Sequence, residues 1–197
     1  MDISLVVARS QLGEFFPLLL RGCRVAARVP CTVKDLLCGQ FGLNQDYVTT
    51  RITTIFLDGK PTDSIDEAQV TDRSTLALSA AMPGLVGATM RRGGFYAAMR
   101  GAITHQGSVE EGVCKQGTVR IKLFNMLLHE LGPLLLAKGA MLTPAEMEDL
   151  FRGSSDDFWQ GCSEARVSGR AVTTDSLKQG DLPVTGESIT FSVTFEG

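Results

Sequence analysis

A glycine-rich stretch near the middle of the 197-residue chain carries the residues best suited to bind a charged ligand. Arg91, Arg92, Gly93 and Gly94 are consecutive, and Arg100 follows shortly after them. Glycines allow backbone N–H groups to approach an anion closely, and guanidinium groups supply positive charge with several donors. The pattern therefore predicts that these residues form an anion-binding site.

The stretch lies in a connector, residues 82–117, that is rich in glycine and also holds three methionines. Its spacing fits neither common phosphate-binding motif. No Gly-Lys-Ser/Thr follows the arginines, and the three-glycine dinucleotide fingerprint with its downstream acidic residue is missing. Two interpretations stay open: the connector is a packed loop that forms a site, or it is a flexible or irregular crossover between folded units.

Groups able to perform acid–base or nucleophilic catalysis are few. No nucleophile stands beside His129 or His105, and we expect His129 to be a solvated or capping residue of a helix. Asp156 and Asp157 are typical of the first turn of a short helix, where the helix dipole favours acidic side chains. Trp159 is expected to anchor a core. The sequence therefore predicts no catalytic residue and favours a non-enzymatic protein.

The cysteine pattern argues against a metal centre. Five cysteines form an odd set without a compact framework, which suits a reducing compartment. Most are expected to be small buried apolar residues. Their spacing lacks the paired ligands that a metal site needs, so we predict neither a metal nor another cofactor. The cysteines are Cys23, Cys31, Cys38, Cys114 and Cys162.

Composition and charge narrow the class of partner. The 44% apolar and 21% charged residues are typical of a folded globular chain. A net charge of −3 makes nucleic acid an unexpected partner, because phosphate binding needs a concentrated basic surface. Asp2 stands where a signal peptide would be positive, and the apolar runs are too short to cross a bilayer. We therefore expect a cytoplasmic protein without a membrane segment.

Four short patterns recur in the same order in the two halves of the chain, which indicates an internal duplication. The expected division is a first unit at 1–81, the connector at 82–117 and a second unit at 118–197. The matched pairs are Leu12–Gly22 with Leu128–Gly139, Val33–Leu37 with Met147–Phe151, Leu57–Lys60 with Val167–Arg170, and Val70–Ser74 with Val184–Ser188.

Each unit is expected to be α+β, with helices followed by a small mixed sheet. The leucine-rich stretches 3–20 and 119–138 favour helix, with a short strand at each beginning left open. Further helices are predicted at 33–41 and 144–152, begun by threonine N-caps. The predicted strands are 51–57, which ends at an Asp-Gly turn, 75–80 and 188–195.

One part of the first unit resembles a known family. Ile55–Pro61 is typical of a strand followed by an Asp-Gly turn, Val70–Leu78 of a loop and an apolar strand, and Met82–Gly84 begins a glycine-rich tail. In this order the segments resemble the C-terminal half of the β-grasp sulfur carriers, such as the thiamine-biosynthesis carrier and the small subunit of molybdopterin synthase. The resemblance implies a β-grasp-like, ubiquitin-like fold.

The resemblance also implies a function. The carriers end in a free Gly-Gly whose carboxylate is activated, whereas this chain continues, and only cleavage after Gly94 would expose such a terminus. We therefore expect a non-enzymatic binding or carrier-like module that acts through a protein partner, with sulfur transfer or cofactor biosynthesis as the implied setting. The alternative is a small-molecule or anion-binding enzyme subunit that uses the connector. The oligomeric state is not predicted.

Overall fold

The computed structural model describes residues 1–105, 113–179 and 187–197. Residues 106–112 of the connector and Val184–Gly186 of the last repeated pattern lie outside the described residues. The strands are β1 (Asp2–Ala8), β2 (Cys23–Val29), β3 (Cys31–Thr32), β4 (Thr54–Leu57), β5 (Lys60–Pro61), β6 (Gln69–Val70), β7 (Thr75–Ser79), β8 (Lys115–Phe124), β9 (Ala140–Leu142), β10 (Cys162–Val167), β11 (Arg170–Ala171) and β12 (Ile189–Glu196).

The helices lie between these strands and are mostly short. The α-helices are α1 (Phe16–Arg21), α2 (Gln45–Thr50), α3 (Gly84–Met90), α4 (Leu127–Lys138), α5 (Pro144–Gly153), α6 (Asp156–Gln160) and α7 (Thr174–Lys178). Two 3-10 helices span Arg9–Phe15 and Phe95–Arg100, and a π-helix spans Asp35–Gln40. In the described ranges, no helix combines the length and apolar character that crossing a membrane requires.

The chain forms two compact units, and each mixes helices with strands. The first consists of Met1–Val25 and His129–Gly197, and the second is Ala26–Leu128. These boundaries differ from the division at 1–81, 82–117 and 118–197 that the sequence suggested. The reason is strand pairing, because the N-terminal strand is held by the C-terminal strands and not by the residues that follow it.

In the first unit, β1 lies in the interior of a mixed sheet with the order β11-β10-β1-β12-β9. It runs parallel to β12, where Leu5 is opposite Val193, and antiparallel to β10, where Leu5 is opposite Ala165. The other neighbouring pairs in this order are antiparallel. A central strand with partners on both sides has its backbone donors and acceptors satisfied along its length.

The two leucine-rich stretches begin as strands, which corrects the preference for helix over 3–20 and 119–138. Burial alternates along β1 and β8, as expected for strands with one face on a core. Helix follows only after each strand ends, in α1 and in α4. The first residues of each stretch therefore follow the period-two apolar pattern of a strand and not the spacing of a helix. The buried alternate residues are Ile3, Leu5 and Val7, and Val119, Ile121 and Leu123.

Aromatic rings fill the core of the first unit. The fully buried Phe15 has its ring centroid 5.6 Å from that of Phe158, 5.9 Å from that of Phe195 and 6.1 Å from that of Phe191. The pairs with Phe158 and Phe195 are edge-to-face, an arrangement that stabilises a core beyond its buried area. Trp159 is buried beside them, so its expected role as a core anchor is confirmed.

In the second unit, β7 lies between a parallel partner, β8, and an antiparallel partner, β4. Asp58 and Gly59 join β4 to β5 with φ values of 49° and 78°, the left-handed pair that a tight hairpin requires. The predicted Asp-Gly turn is therefore confirmed. A separate small sheet pairs β3 with β6.

A side-chain cap begins α5 as the sequence predicted. The hydroxyl of Thr143 accepts from the Glu146 N–H, and the Glu146 carboxylate accepts from the Thr143 N–H at 2.8 Å. This reciprocal capping box confirms the helix predicted at 144–152. The Thr32 hydroxyl accepts from the Asp35 N–H at 3.0 Å, but the N-cap residue of the π-helix that follows is Lys34 and not Thr32.

Candidate functional site

The described N-terminal part of the connector is a folded arm, residues 82–105, that belongs to the second unit. It consists of α3, a short loop at Gly93 and the 3-10 helix Phe95–Arg100, and the two helices pack against each other. Of the two interpretations of the connector, a packed segment is what the structure has in this range. Only Gly87 and Arg100 of the arm are buried.

Arg100 holds the arm together. Its side chain is 2% exposed, and its Nε donates to the carbonyl of Thr89 at 2.7 Å while Nη1 donates to the Thr104 hydroxyl at 2.9 Å. Its Nη2 forms an ion pair with the Asp63 carboxylate at 2.6 Å and also reaches the carbonyl of Arg91 at 3.5 Å. One guanidinium therefore joins the end of α3, the following helix and a loop of the second unit.

Arg92 attaches the arm to the end of α2. Its Nη2 donates to the carbonyls of Val48 and Ile52, both at 2.8 Å, and its backbone N–H donates to the carbonyl of Thr53. Carbonyls at a helix C-terminus lack partners within the helix, and a cation there is favoured by the helix dipole. Burial lowers the pKa of Arg92, and Asp63 opposes that shift. The role of Arg92 is structural.

An anion of the chain itself already contacts the predicted anion site. The Asp63 carboxylate accepts from the Gly93 N–H at 3.3 Å as well as from Arg100. The Gly94 N–H donates to the carbonyl of Arg91, so it closes a turn and is used internally. Among the described residues, the Arg91 guanidinium has no ion-pair or hydrogen-bond partner, and the residue is exposed. The five predicted residues are thus brought together, but one guanidinium is left for a ligand.

The chain that leaves β7 to enter the arm is fixed by the side chains of Thr53 and Asn125. The Thr53 hydroxyl donates to the carbonyl of Ala80 at 2.7 Å, and Asn125 donates both to the Ser79 hydroxyl and to the carbonyl of Ala81. Sequence reasoning missed Thr53, Asn125 and Asp63. No local pattern could have identified them, because each contacts the arm or its root from a distant part of the sequence.

A cavity of about 630 Å³ lies between the root of the arm and its loop. Thr53, Met82, Arg91, Gly94 and Tyr96 are among its lining residues. Its volume is in the range of ligand pockets. Of the two described arginines that line the cavity, only Arg91 is free to pair with a ligand, because the Arg92 guanidinium donates to the carbonyls of Val48 and Ile52.

The outer surface of the arm is strongly apolar. Phe95 is 93% exposed, Met99 73%, Leu85 69% and Val86 64%. Tyr96 and Ile103 are also exposed. Large side chains exposed singly are ordinary, whereas this concentration of them in one segment makes the arm a candidate interaction surface.

The other residues considered for catalysis or metal binding make contacts that stabilise the fold or are buried. His129 is exposed, and its ring centroid lies 4.7 Å from that of Phe16 in a T-shaped pair. Asp156 forms an ion pair with Lys178 at the start of α6. Burial, with a contribution from Asp35, raises the pKa of the Cys31 thiol to about 11. That thiol stays protonated at neutral pH and is a poor nucleophile.

Two further cysteines have similar surroundings. Burial raises the pKa of Cys38 and of Cys162, and no disulfide joins any of the five cysteines. Within the described part of the chain, no group of three or more His, Cys, Asp or Glu side chains is arranged to hold a metal ion.

The chain was compared with protein-family models, with curated proteins and with solved structures, and none of the three comparisons found a match.

Proposed function

We propose that this protein is a binding module that recognises a protein partner through the outer surface of the arm. The observation that carries the proposal is the concentration of exposed apolar side chains. Of the ten large hydrophobic residues that are exposed in the described ranges, six lie between Leu85 and Ile103. Burial of such side chains against a partner releases about 25 cal/mol for each Å² of apolar surface.

The charge of the arm defines the chemistry of the partner. Residues 82–105 contain no Asp or Glu, and Arg92 and Arg100 are already neutralised or bound within the unit. Arg91 therefore sets the local charge at the edge of the apolar surface. The matching partner surface is apolar with a carboxylate placed to meet Arg91, because complementary charge at the rim fixes orientation and partner choice.

The β-grasp-like relationship and the internal duplication form part of this proposal. Matched turns support the duplication, because Asp58–Gly59 has φ values of 49° and 78° and Ser168–Gly169 has values of 47° and 78°. The matched glycines at the helix ends also agree, with φ values of 98° at Gly22 and 94° at Gly139. We propose that the two sequence segments 1–81 and 118–197 descend from one ancestral segment of strands and helices.

We propose that the arm acts without being cut. A sulfur carrier needs a free Gly-Gly terminus, which here would require cleavage after Gly94. The Gly93 N–H bonds to Asp63, and Arg92 is held by carbonyls of α2, so the surrounding chain is part of a folded structure. The intact mass of protein from its native host tests this point. Detection of a species that ends at Gly94 with a thiocarboxylate would contradict this proposal and would indicate a role in sulfur transfer.

Site-specific photo-crosslinking tests the interface. A photoreactive phenylalanine analogue at Phe95 should give one defined protein adduct in the host, whereas the same analogue at Met126, which is 55% exposed outside the arm, should not. The identified partner, once purified, should bind the Arg91→Glu variant about tenfold more weakly because of charge repulsion at the rim. The melting temperature of that variant should match the parent.

Three outcomes would contradict the proposal. Adducts from Phe95 that do not exceed those from Met126 would show that the arm is not an interface. Adducts that contain only a second copy of this chain would assign the arm to self-association. Unchanged affinity of Arg91→Glu would remove the predicted carboxylate contact.

A further inference from the structure

A second cavity of about 460 Å³ lies on one face of the sheet formed by β4, β7 and β8, outside the arm surface described above. The strand register explains its position. Phe56 is opposite Ala77, and Ala77 is opposite Lys122, so these residues form one row across the three strands. Ser79 and Phe124 are opposite each other in the next row on the same face.

Small side chains on the central strand make this face concave. Thr75, Ala77 and Ser79 alternate with the buried core residues of β7 and lie between larger side chains on either side. Phe56 stands on the β4 side, and Phe124 stands on the β8 side. The result is a groove along β7, which Met82 and Pro83 also line where the chain leaves the strand.

Charge in the groove comes from one residue. Lys122 is the only ionisable side chain among the lining residues, and no ion pair or hydrogen bond engages its ammonium group within the described ranges. Asn125, the strongest neutral donor in the lining, already donates to Ser79 and to the carbonyl of Ala81. The polar recognition available to a ligand is therefore a single positive charge beside an apolar surface.

We propose that the groove binds a small apolar molecule that carries one carboxylate. Its apolar body would lie along Ala77 between Phe56 and Phe124, and its carboxylate would pair with Lys122. The cavity volume falls in the range of about 300–1,000 Å³ that small-molecule sites occupy. A nucleotide does not fit this chemistry, because its phosphates require several donors and the groove offers one cation.

The groove lies on a sheet face and not at a sheet edge, which excludes strand addition as the mode of binding. Backbone donors and acceptors of β7 are already used by β4 and β8. Recognition must therefore come from side chains, and this favours a compact ligand over an extended peptide.

Titration with matched aromatic probes tests the site. 2-Naphthoate is the anionic probe, and 2-naphthamide is its neutral counterpart of nearly equal shape. Calorimetry gives the affinities, and amide chemical shifts locate the binding surface. The parent protein should bind 2-naphthoate saturably, with shifts centred on Ala77 and Gly59, and should bind 2-naphthamide about tenfold more weakly.

Three variants separate the groove from nonspecific binding. Lys122→Gln should reduce the affinity for 2-naphthoate about tenfold and leave that for 2-naphthamide unchanged, since one charge-assisted contact is lost. Ala77→Phe should abolish binding of both probes by filling the groove, and phenylalanine is well accepted in strands. Lys115→Gln is the matched control, because Lys115 is an exposed lysine of the same strand outside the cavity.

Equal affinity of parent and Lys122→Gln for 2-naphthoate would overturn the proposal, even if Ala77→Phe failed to fold. The absence of saturable binding to the parent would do the same, as would shifts confined to residues 85–103. The last result would assign the probe to the arm. These outcomes are independent of the crosslinking test, which does not involve the face of β7.

Discussion

Removal of Arg100 should open the arm while the rest of the second unit stays folded. In the described arm, only Gly87 and Arg100 are buried, so few apolar contacts hold the segment closed. The guanidinium of Arg100 supplies the ion pair to Asp63 and the bonds to Thr89 and Thr104. Segments with little buried apolar surface open locally at a cost below that of global unfolding.

The magnitude follows from these contacts. A hydrogen bond that involves a charged group contributes about 1.5–3 kcal/mol. The contributions do not add in full, because Asp63 has a side chain that is 40% exposed and regains water when its partner is removed. A loss of about 3 kcal/mol is therefore expected for Arg100→Ala, which raises the population of the open arm about 100-fold.

Limited digestion with trypsin measures this opening. Arg92 is a cleavage site that the folded arm protects, because its guanidinium is bound to the carbonyls of Val48 and Ile52. Cleavage after Arg92 should be about 100-fold faster in Arg100→Ala when opening is rapid compared with cleavage. The control is Arg91→Ala, which removes an exposed arginine without a described partner and keeps the Arg92 site.

Two results would refute this reasoning. Equal rates of cleavage in Arg100→Ala and Arg91→Ala would show that the buried ion pair does not hold the arm. Loss of the whole circular dichroism spectrum in Arg100→Ala at the temperature of digestion would show that the arm and the sheet unfold as one unit.

Two further predictions concern packing and pH. A Cβ at Gly87 would lie 1.9 Å from the carbonyl oxygen of Met82, so Gly87→Ala should destabilise the arm by about 1–3 kcal/mol and speed its digestion. Gly101→Ala, whose Cβ would meet its nearest neighbour at 3.7 Å, is the matched control, and equal digestion rates would contradict the prediction. The Thr118 N–H donates to the Asp72 carboxylate at 2.9 Å and holds the pKa of that carboxyl below its usual range. Because the folded pKa is the lower one, this stabilisation is present above the unfolded value of about 3.9 and is lost as the pH falls through the folded pKa. The stability difference between the parent and Asp72→Asn in urea should therefore shrink from about pH 5 to about pH 3, and a constant difference would exclude this role.

Features encoded by neighbouring residues were predictable. The capping box of Thr143 and Glu146 needs only four consecutive residues, and so does the turn at Asp58 and Gly59. Both are set by local hydrogen bonds and backbone preferences, which operate in the same way in any fold. The start of α6 after Ser155 was predictable for the same reason.

Neighbouring residues alone did not determine whether the leucine-rich stretches begin as helices or as strands. The run Ile3–Leu5–Val7 alternates, but it is short and is followed at once by leucines with helical spacing. Strand formation in β1 requires partners on both sides, and β10 and β12 come from the other end of the chain. Short apolar runs remain ambiguous until such pairing is known.

At the candidate site, the cluster of arginines and glycines and its position in a connector were evident from the amino-acid sequence. It also determined that the segment carries basic and apolar residues without acidic ones. The role of each arginine depends on its contacts in the folded chain. Arg100 forms an ion pair with Asp63, and Arg92 donates to a carbonyl at the end of α2. Of the three arginines, Arg91 alone is exposed. Composition reports which charges exist, but the pairing of each charge depends on distant groups that only the folded chain brings within hydrogen-bond distance.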